Sequence, residues 1–354
     1  MDLDNPTRFE QIDTQGMLSH IEGLPGQLEN AWTLGQDLPL PDWSGIERVV
    51  IAGMGGSAIG ADLLSAYTAD HCPVPVVVHR NYGLPGWAKG PGTLVIASSH
   101  SGNTEETLSS FEEARGAGCR VLAISTGGSL REKALEAGIP AWRFNHQGQP
   151  RAAVGFSFGL LLAAFTRLGL SSSTEEDIRE AIQAMRLQQE NLRIDVPVVS
   201  NLAKRMAGQL YGRWVAILGA DVLEPVARRW KGQINELAKA WSQFEAIPEA
   251  NHNTVSGATH PEEALSHTLV IFLRAPSYHD RNLQRTNLMK KIFMLEGLNT
   301  DFIDAQGASR LAHMWTVLHL GDYIAYYLAM AYEIDPTPID AIQSFKAELG
   351  TAKS

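Results

Sequence analysis

Positive charge is in deficit in this chain: 29 Lys and Arg face 39 Asp and Glu, a formal net charge of −10 at pH 7 over 354 residues. That balance excludes a general nucleic-acid binder, which needs clustered cations to displace counterions, though it leaves room for a local basic pocket that takes a phosphorylated metabolite. Cysteine is nearly absent. Cys72 and Cys119 stand alone, with no CxxC and no metal-ligand spacing, so a disulfide framework and a cysteine metal centre both drop out and a reduced, cytoplasmic setting is expected. Long hydrophobic runs are missing as well. The longest, around Val154 to Phe165, is interrupted by serine and is too short to cross a bilayer, so no membrane partner is expected. The opening MDLDNPTRFEQID is acidic and polar, unlike a signal peptide. What is present, 44% hydrophobic and 19% charged residues, describes a soluble globular chain long enough for two ordinary domains.

Short β-branched runs alternate with helical spacing. RVVIAG (48–53), VPVVVH (74–79), TLVIASS (93–99), RVLAIS (120–125) and AWRFN (141–145) are strands by this pattern, with helices such as TEETLSSFEEARGAG between them. Apolar strands alternating with helices predict a doubly wound α/β fold, a parallel sheet covered on both faces. Residues 1–45 form a helical lead-in, 46–153 a first α/β domain and 154–208 linking helices without strand signal. Alternation resumes over 209–335, with RWVAILGA (213–220), TLVIFLR (268–274) and NTDFIDA (299–305), and 336–354 form a tail helix. TLVI occurs at 93–96 and again at 268–271, which suggests two copies of one domain. The aromatic-rich stretch 313–332 is expected as core with some subunit interface.

Two loops carry the chemistry of the first half. Gly53-Met54-Gly55-Gly56-Ser57-Ala58-Ile59-Gly60 joins a strand to a helix starting near Ala58, and bare glycine lets backbone N–H groups and the helix dipole meet an anion. No Gly-Lys-Ser/Thr ending and no convincing GxGxxG with an acidic ribose partner is present, so a nucleotide is disfavoured. SSHSGNTEETL follows the strand TLVIA and crowds Ser99, Ser101 and Thr104 at its carboxyl end, where ligands of parallel sheets bind. Each loop also has a plainer reading: a tight turn for the first, a helix N-cap with acidic residues in the first turn for the second.

GMGGSAIG followed some forty residues later by SSHSGNTEET resembles the sugar isomerase (SIS) fold, and nearly the whole chain is similar to the bifunctional phosphoglucose/phosphomannose isomerases. The resemblance implies two SIS-type three-layer α-β-α domains and a hexose 6-phosphate substrate, with no cofactor, no metal and no nucleic acid. By it, Gly55, Gly56, Ser57, Ser99, Ser101 and Thr104 match phosphate-binding positions. Glu236 in NELAK matches the base that moves a proton between C1 and C2, and His252 in EANHN the residue that assists ring opening. Arg151, after QGQP, matches an arginine near the developing enediolate, and Lys346 a lysine at the sugar ring. A threonine that tolerates either C2 configuration belongs to the same pattern; Thr337 lies in the right region without a fixed register. Related isomerases bring the histidine from a neighbouring subunit, which would make a homodimer a catalytic requirement.

Read alone, the same residues stay ambiguous. Glu236 near the end of an amphipathic helix (Val226, Trp230, Ile234, Leu237) reads as solvated, and Lys346 as a surface lysine. His252 sits in the loop PEANHNTVSG, a better place for function than a packed helix face. The alternative to an isomerase is a SIS-domain regulator that senses a sugar phosphate without turning it over. Such regulators usually carry a helix-turn-helix, and the acidic lead-in offers none. The isomerase half of a glucosamine-6-phosphate synthase would need an N-terminal nucleophilic cysteine, which Cys72 is not.

Overall fold

Each β-branched run forms a strand, and every strand pairs parallel to its neighbours. The computed structural model describes residues 2–351. Three helices lead in: α1 (Pro6–Ile12), α2 (Met17–Glu22) and α3 (Leu24–Asp37). The first sheet is built from β1 (Arg48–Ala52), β2 (Val76–His79), β3 (Thr93–Ser98), β4 (Arg120–Ser125) and β5 (Ala141–Arg143), in the order β2-β1-β3-β4-β5. Helices α4 (Gly55–Thr68), α5 (Glu105–Gly116) and α6 (Gly128–Glu136) connect these strands. A 3-10 turn at Pro150–Ala153 then opens α7 (Val154–Arg167), followed by α8 (Glu175–Gln189) and α9 (Leu202–Leu210).

The second sheet repeats the plan with β6 (Trp214–Ala220), β7 (Ser242–Ile247), β8 (Thr268–Arg274) and β9 (Asn299–Asp304), ordered β7-β6-β8-β9. Its helices are α10 (Glu224–Leu237), the short α11 (Glu262–Ser266) and α12 (Asp280–Leu295). The repeated TLVI is a true correspondence. Thr93 pairs with Arg48 at the start of the β3–β1 ladder, and Thr268 pairs with Trp214 at the start of the β8–β6 ladder. In both sheets the order of strand addition reverses between these two parallel strands.

β7 has no counterpart among the runs read from the sequence. SQFEAI carries a glutamine and a glutamate and is only half buried, because it lies at the sheet edge with one neighbour. Edge strands need less apolar patterning, so the period-2 signal is weak there.

α13 (Arg310–Ala331) crosses the middle of the molecule, and every residue from Leu311 to Ala331 is buried. A helix apolar around its whole circumference belongs in a core, and it packs on α2, α8, α9 and α10. Where an interface was expected in part, this helix is interior to the single chain. The last helix, α14 (Asp340–Thr351), is exposed along its described side chains; residues 352–354 of the expected tail lie outside the described residues. No helix among the described residues is long and apolar enough to cross a membrane.

Candidate active site

The glycine loop turns into helix sooner than expected: α4 begins at Gly55, not near Ala58, after an extended Met54. The amides of Gly55 and Gly56 therefore belong to the first turn, where helix geometry gives them no intrahelical acceptor. Two bare N–H groups at a helix N-terminus attract an anion. Gly56 is required by packing. A Cβ there would lie 2.6 Å from the Pro150 carbonyl oxygen, so glycine lets α4 approach the turn that carries Arg151.

The hydroxyl loop leaves the end of β3, directly beside β1 at the point where strand order reverses. Ser99 Oγ lies 3.0 Å from Thr104 Oγ1 and accepts the Gly102 N–H at 3.1 Å. Thr104 holds the N-cap position of α5, yet its side chain caps nothing. The plain capping reading therefore fails for Thr104, whose hydroxyl turns into the loop. Ser101 is exposed and accepts the Asn103 N–H at 3.2 Å. Ser57, buried in the first turn of α4, accepts the His100 N–H at 3.2 Å and so ties the two loops together.

The two halves of the chain meet above the α4 N-terminus. A cleft of about 220 Å³ there is lined by Gly55, Gly56, Arg151 and Glu236 among others. Arg151 Nη1 lies 3.5 Å from Glu236 Oε2. Its Nη2 donates to the carbonyls of Pro336 (2.9 Å) and Thr337 (2.6 Å), which fixes the guanidinium against the segment leading to α14. Burial pulls the Arg151 pKa down, the Glu236 charge opposes this, and the Arg229 charge adds to it. An arginine so placed stays cationic. Its Nε is buried without a partner, as is the hydroxyl of Thr337.

Residues missed in the sequence make the cleft basic. Arg80, Arg228, Arg229 and Lys231 all line it, so a chain of net negative charge carries a positive pocket. Asp62 pairs with both Arg80 and Arg228. Arg229 and Asp322 form a buried bidentate pair, at 3.1 Å (Nε to Oδ1) and 2.7 Å (Nη2 to Oδ2), and the same Nη2 donates to the Arg151 carbonyl at 2.9 Å. Gln233 also donates to Asp322, at 2.9 Å. A signal for this existed: Arg229, Gln233 and Glu236 follow i, i+4, i+7 on α10, a polar row of which Arg229 and Gln233 are buried. Arg80 had no such local mark.

Comparison with known proteins identifies the family. Residues 199–349 match the model of the bacterial phospho-glucose isomerase C-terminal SIS domain. A bifunctional phosphoglucose/phosphomannose isomerase of Caldicellulosiruptor bescii is 38% identical over 341 residues, 95% of this chain and 100% of its own. The chain belongs to the bifunctional phosphoglucose/phosphomannose isomerase family. The Aquifex aeolicus member is 32% identical over 330 residues, covering 93% of this chain and 97% of that one. A glucose-6-phosphate isomerase like protein from Thermus thermophilus shares the fold at a TM-score of 0.64 and 20% identity, over 96% of this chain and 98% of that one.

In this phosphoglucose/phosphomannose isomerase family member, six expected site residues stand outside the cleft lining: Ser57, Ser99, Ser101 and Thr104, and with them His252 and Lys346. His252 ends the 3-10 turn Glu249–His252 after β7 and is exposed. Lys346 is exposed on α14. Glu236 nevertheless lines a second groove, of about 560 Å³, whose far wall is Pro338–Ile342 at the root of α14. Glu245 lies in β7 and Glu249 in the following turn, and neither lines either opening.

Proposed function

We propose that the chain interconverts glucose 6-phosphate or mannose 6-phosphate with fructose 6-phosphate through a cis-enediol, without a metal or cofactor. The observation that carries this is the Arg151–Glu236 pair, one partner from each half of the chain, facing each other over the bare N-terminus of α4. The hydroxyls of Ser57, Ser99, Ser101 and Thr104 and the amides of Gly55 and Gly56 take the phosphate as a handle. Glu236 takes the proton from C2 of the open aldose and returns it to C1, while the hydroxyl proton on O2 passes to O1. As the C1 oxygen gains charge, the Arg151 guanidinium neutralises it, and a buried cation does this far better than water. Glucose and mannose phosphates differ only at C2, which is flat in the enediol, so one base serves both.

In this reading His252 acts in ring opening from the neighbouring subunit of a homodimer, which fits its exposure outside its own cleft. Lys346 reaches the sugar ring from α14, whose root borders the groove beside Glu236. A cytoplasmic location accords with such a substrate.

EDTA-treated protein offered fructose 6-phosphate should form both aldoses, measured separately. One aldose alone would end the bifunctional assignment. Tight binding without turnover would favour a sugar-phosphate sensor.

A further inference from the structure

Three histidines from distant parts of the chain meet beside the hydroxyl loop, and the mechanism above uses none of them. His100 lies between Ser99 and Ser101; its N–H donates to Ser57 Oγ, and its carbonyl accepts from Thr126 N (3.0 Å) and Thr126 Oγ1 (2.7 Å). Its ring Nε2 is 2.9 Å from Nδ1 of His146. His146 lies on the segment that runs from β5 to the Arg151 turn. Aromatic packing holds both rings: His100 meets Phe144 edge to face at 5.8 Å, Phe144 stacks on Phe156 at 5.1 Å, and His146 meets Phe156 at 6.1 Å. His20 of α2 closes the far side, 5.3 Å from His146 between ring centres. Burial lowers the pKa of His100, and burial, followed by the charges of His100 and His20, lowers that of His146 to about 4. Near neutrality both rings are uncharged, so one donates and the other accepts.

The arrangement joins two parts of the site that hold opposite ends of one substrate. The loop at 99–104 takes the phosphate, and the turn at Arg151 faces the reacting carbons. We propose that the His100–His146 hydrogen bond is a strut that sets the distance between these two supports, making both histidines positioning residues for the isomerisation. This rests on the functional reading given above. Misplacing a reacting centre by about 1 Å costs on the order of 100-fold in rate, so a strut of this kind matters for catalysis more than for binding of the phosphate alone.

His146→Leu keeps the bulk and removes the bond, whereas His146→Asn places an amide where Nδ1 sits. His100→Leu and His100→Gln do the same on the other side, with the Gln amide in the place of Nε2. The leucine variants should lose kcat by about 10- to 100-fold. Inhibition by inorganic phosphate, which reads the anion loop alone, should shift by no more than about 3-fold, within the reach of one neutral hydrogen bond. The Asn and Gln variants should recover most of the loss. The double leucine variant should be no worse than either single one, because both remove the same bond.

Calorimetry supplies a readout that needs no turnover: the ratio of fructose 6-phosphate affinity to inorganic phosphate affinity should fall in the leucine variants and return in the amide ones. Thermal melting identifies any variant that fails to fold, and the arm on the other histidine then decides. Equal losses in Leu and Asn variants, additive losses in the double variant, or losses confined to phosphate affinity would overturn the strut. A wild-type protein without isomerase activity would instead sink the functional reading, leaving the affinity ratio to judge the strut.

Discussion

Glu236 shows how much one residue's meaning depends on its surroundings. On its helix it is the polar end of an amphipathic stripe, and nothing local separates a base from a solvated carboxylate. Across the cleft, the Arg151 guanidinium is held at its distance by two carbonyls and cannot turn away. Replacing Glu236 by Gln keeps the shape and removes the base. Turnover of fructose 6-phosphate should fall by about 10²- to 10⁴-fold, with hexose phosphate affinity changed only a few-fold. Steady-state kinetics together with calorimetric binding check this, and a mild loss of kcat would place the base elsewhere. Ser99 and Thr104 were legible as a pair of hydroxyls near a strand end. Their mutual hydrogen bond, which separates them from ordinary capping, was not.

Among the elements, α10 does the joining. Its Arg229 is 3% exposed and contacts Asp322 on α13 and the Arg151 carbonyl on the 3-10 turn, so one side chain links both halves of the chain. Asp322→Leu leaves Arg229 buried without its counter-charge, which should cost about 3–5 kcal/mol of stability by urea unfolding. Adding Arg229→Met should recover much of that stability while activity stays low, since the Arg151 carbonyl has then lost its donor. Recovery of both would mean the pair is structural only. The second sheet meanwhile shows what duplication discarded. At its own strand reversal Tyr278 fills the crevice, its hydroxyl accepting from the Ala220 N–H and donating to the Leu273 carbonyl, each at 2.9 Å. The space proposed to receive an anion in the first half is occupied by a side chain in the second.

At the scale of the whole molecule, two histidines make the fold sensitive to acid. His319 on α13 is wholly buried, donates Nε2–H to the Ile21 carbonyl at 2.8 Å, and is pushed down by burial to about 4; His146 is also near 4. Unfolded, each titrates near 6.5. Between these values the unfolded chain binds more protons, so their contribution is intact above about pH 6.5 and is lost as pH falls toward 4. Urea midpoints measured from about pH 7.5 down to about pH 4.5 should decline, and less steeply for His319→Gln, which keeps a donor and cannot titrate. Equal slopes would show that His319 is not a source of the decline. The proposed dimer has a separate test. Glu236→Gln and His252→Ala chains, each inactive alone, should regain about a quarter of wild-type activity after subunit exchange, because each mixed dimer has one intact site. No recovery would mean His252 acts within its own subunit or not at all.

The sequence by itself determined most of the strands, the glycine-rich and hydroxyl-rich loops at two strand ends and the repeat of one α/β plan, because these are written in neighbouring residues: β-branched runs, glycines at a tight turn, hydroxyls after a strand. β7 escaped because an edge strand needs little apolar patterning, and the early start of α4 because glycines give no sign of where helix begins. Only the tertiary structure decided that Arg151 faces Glu236, that Arg229 and Asp322 bind them into one frame, and that a net acidic chain holds a basic cleft. These partners are separated by 85 and 93 positions. Contacts of that kind depend on how two sheets and a buried helix pack, and packing distance leaves no periodic mark in the chain.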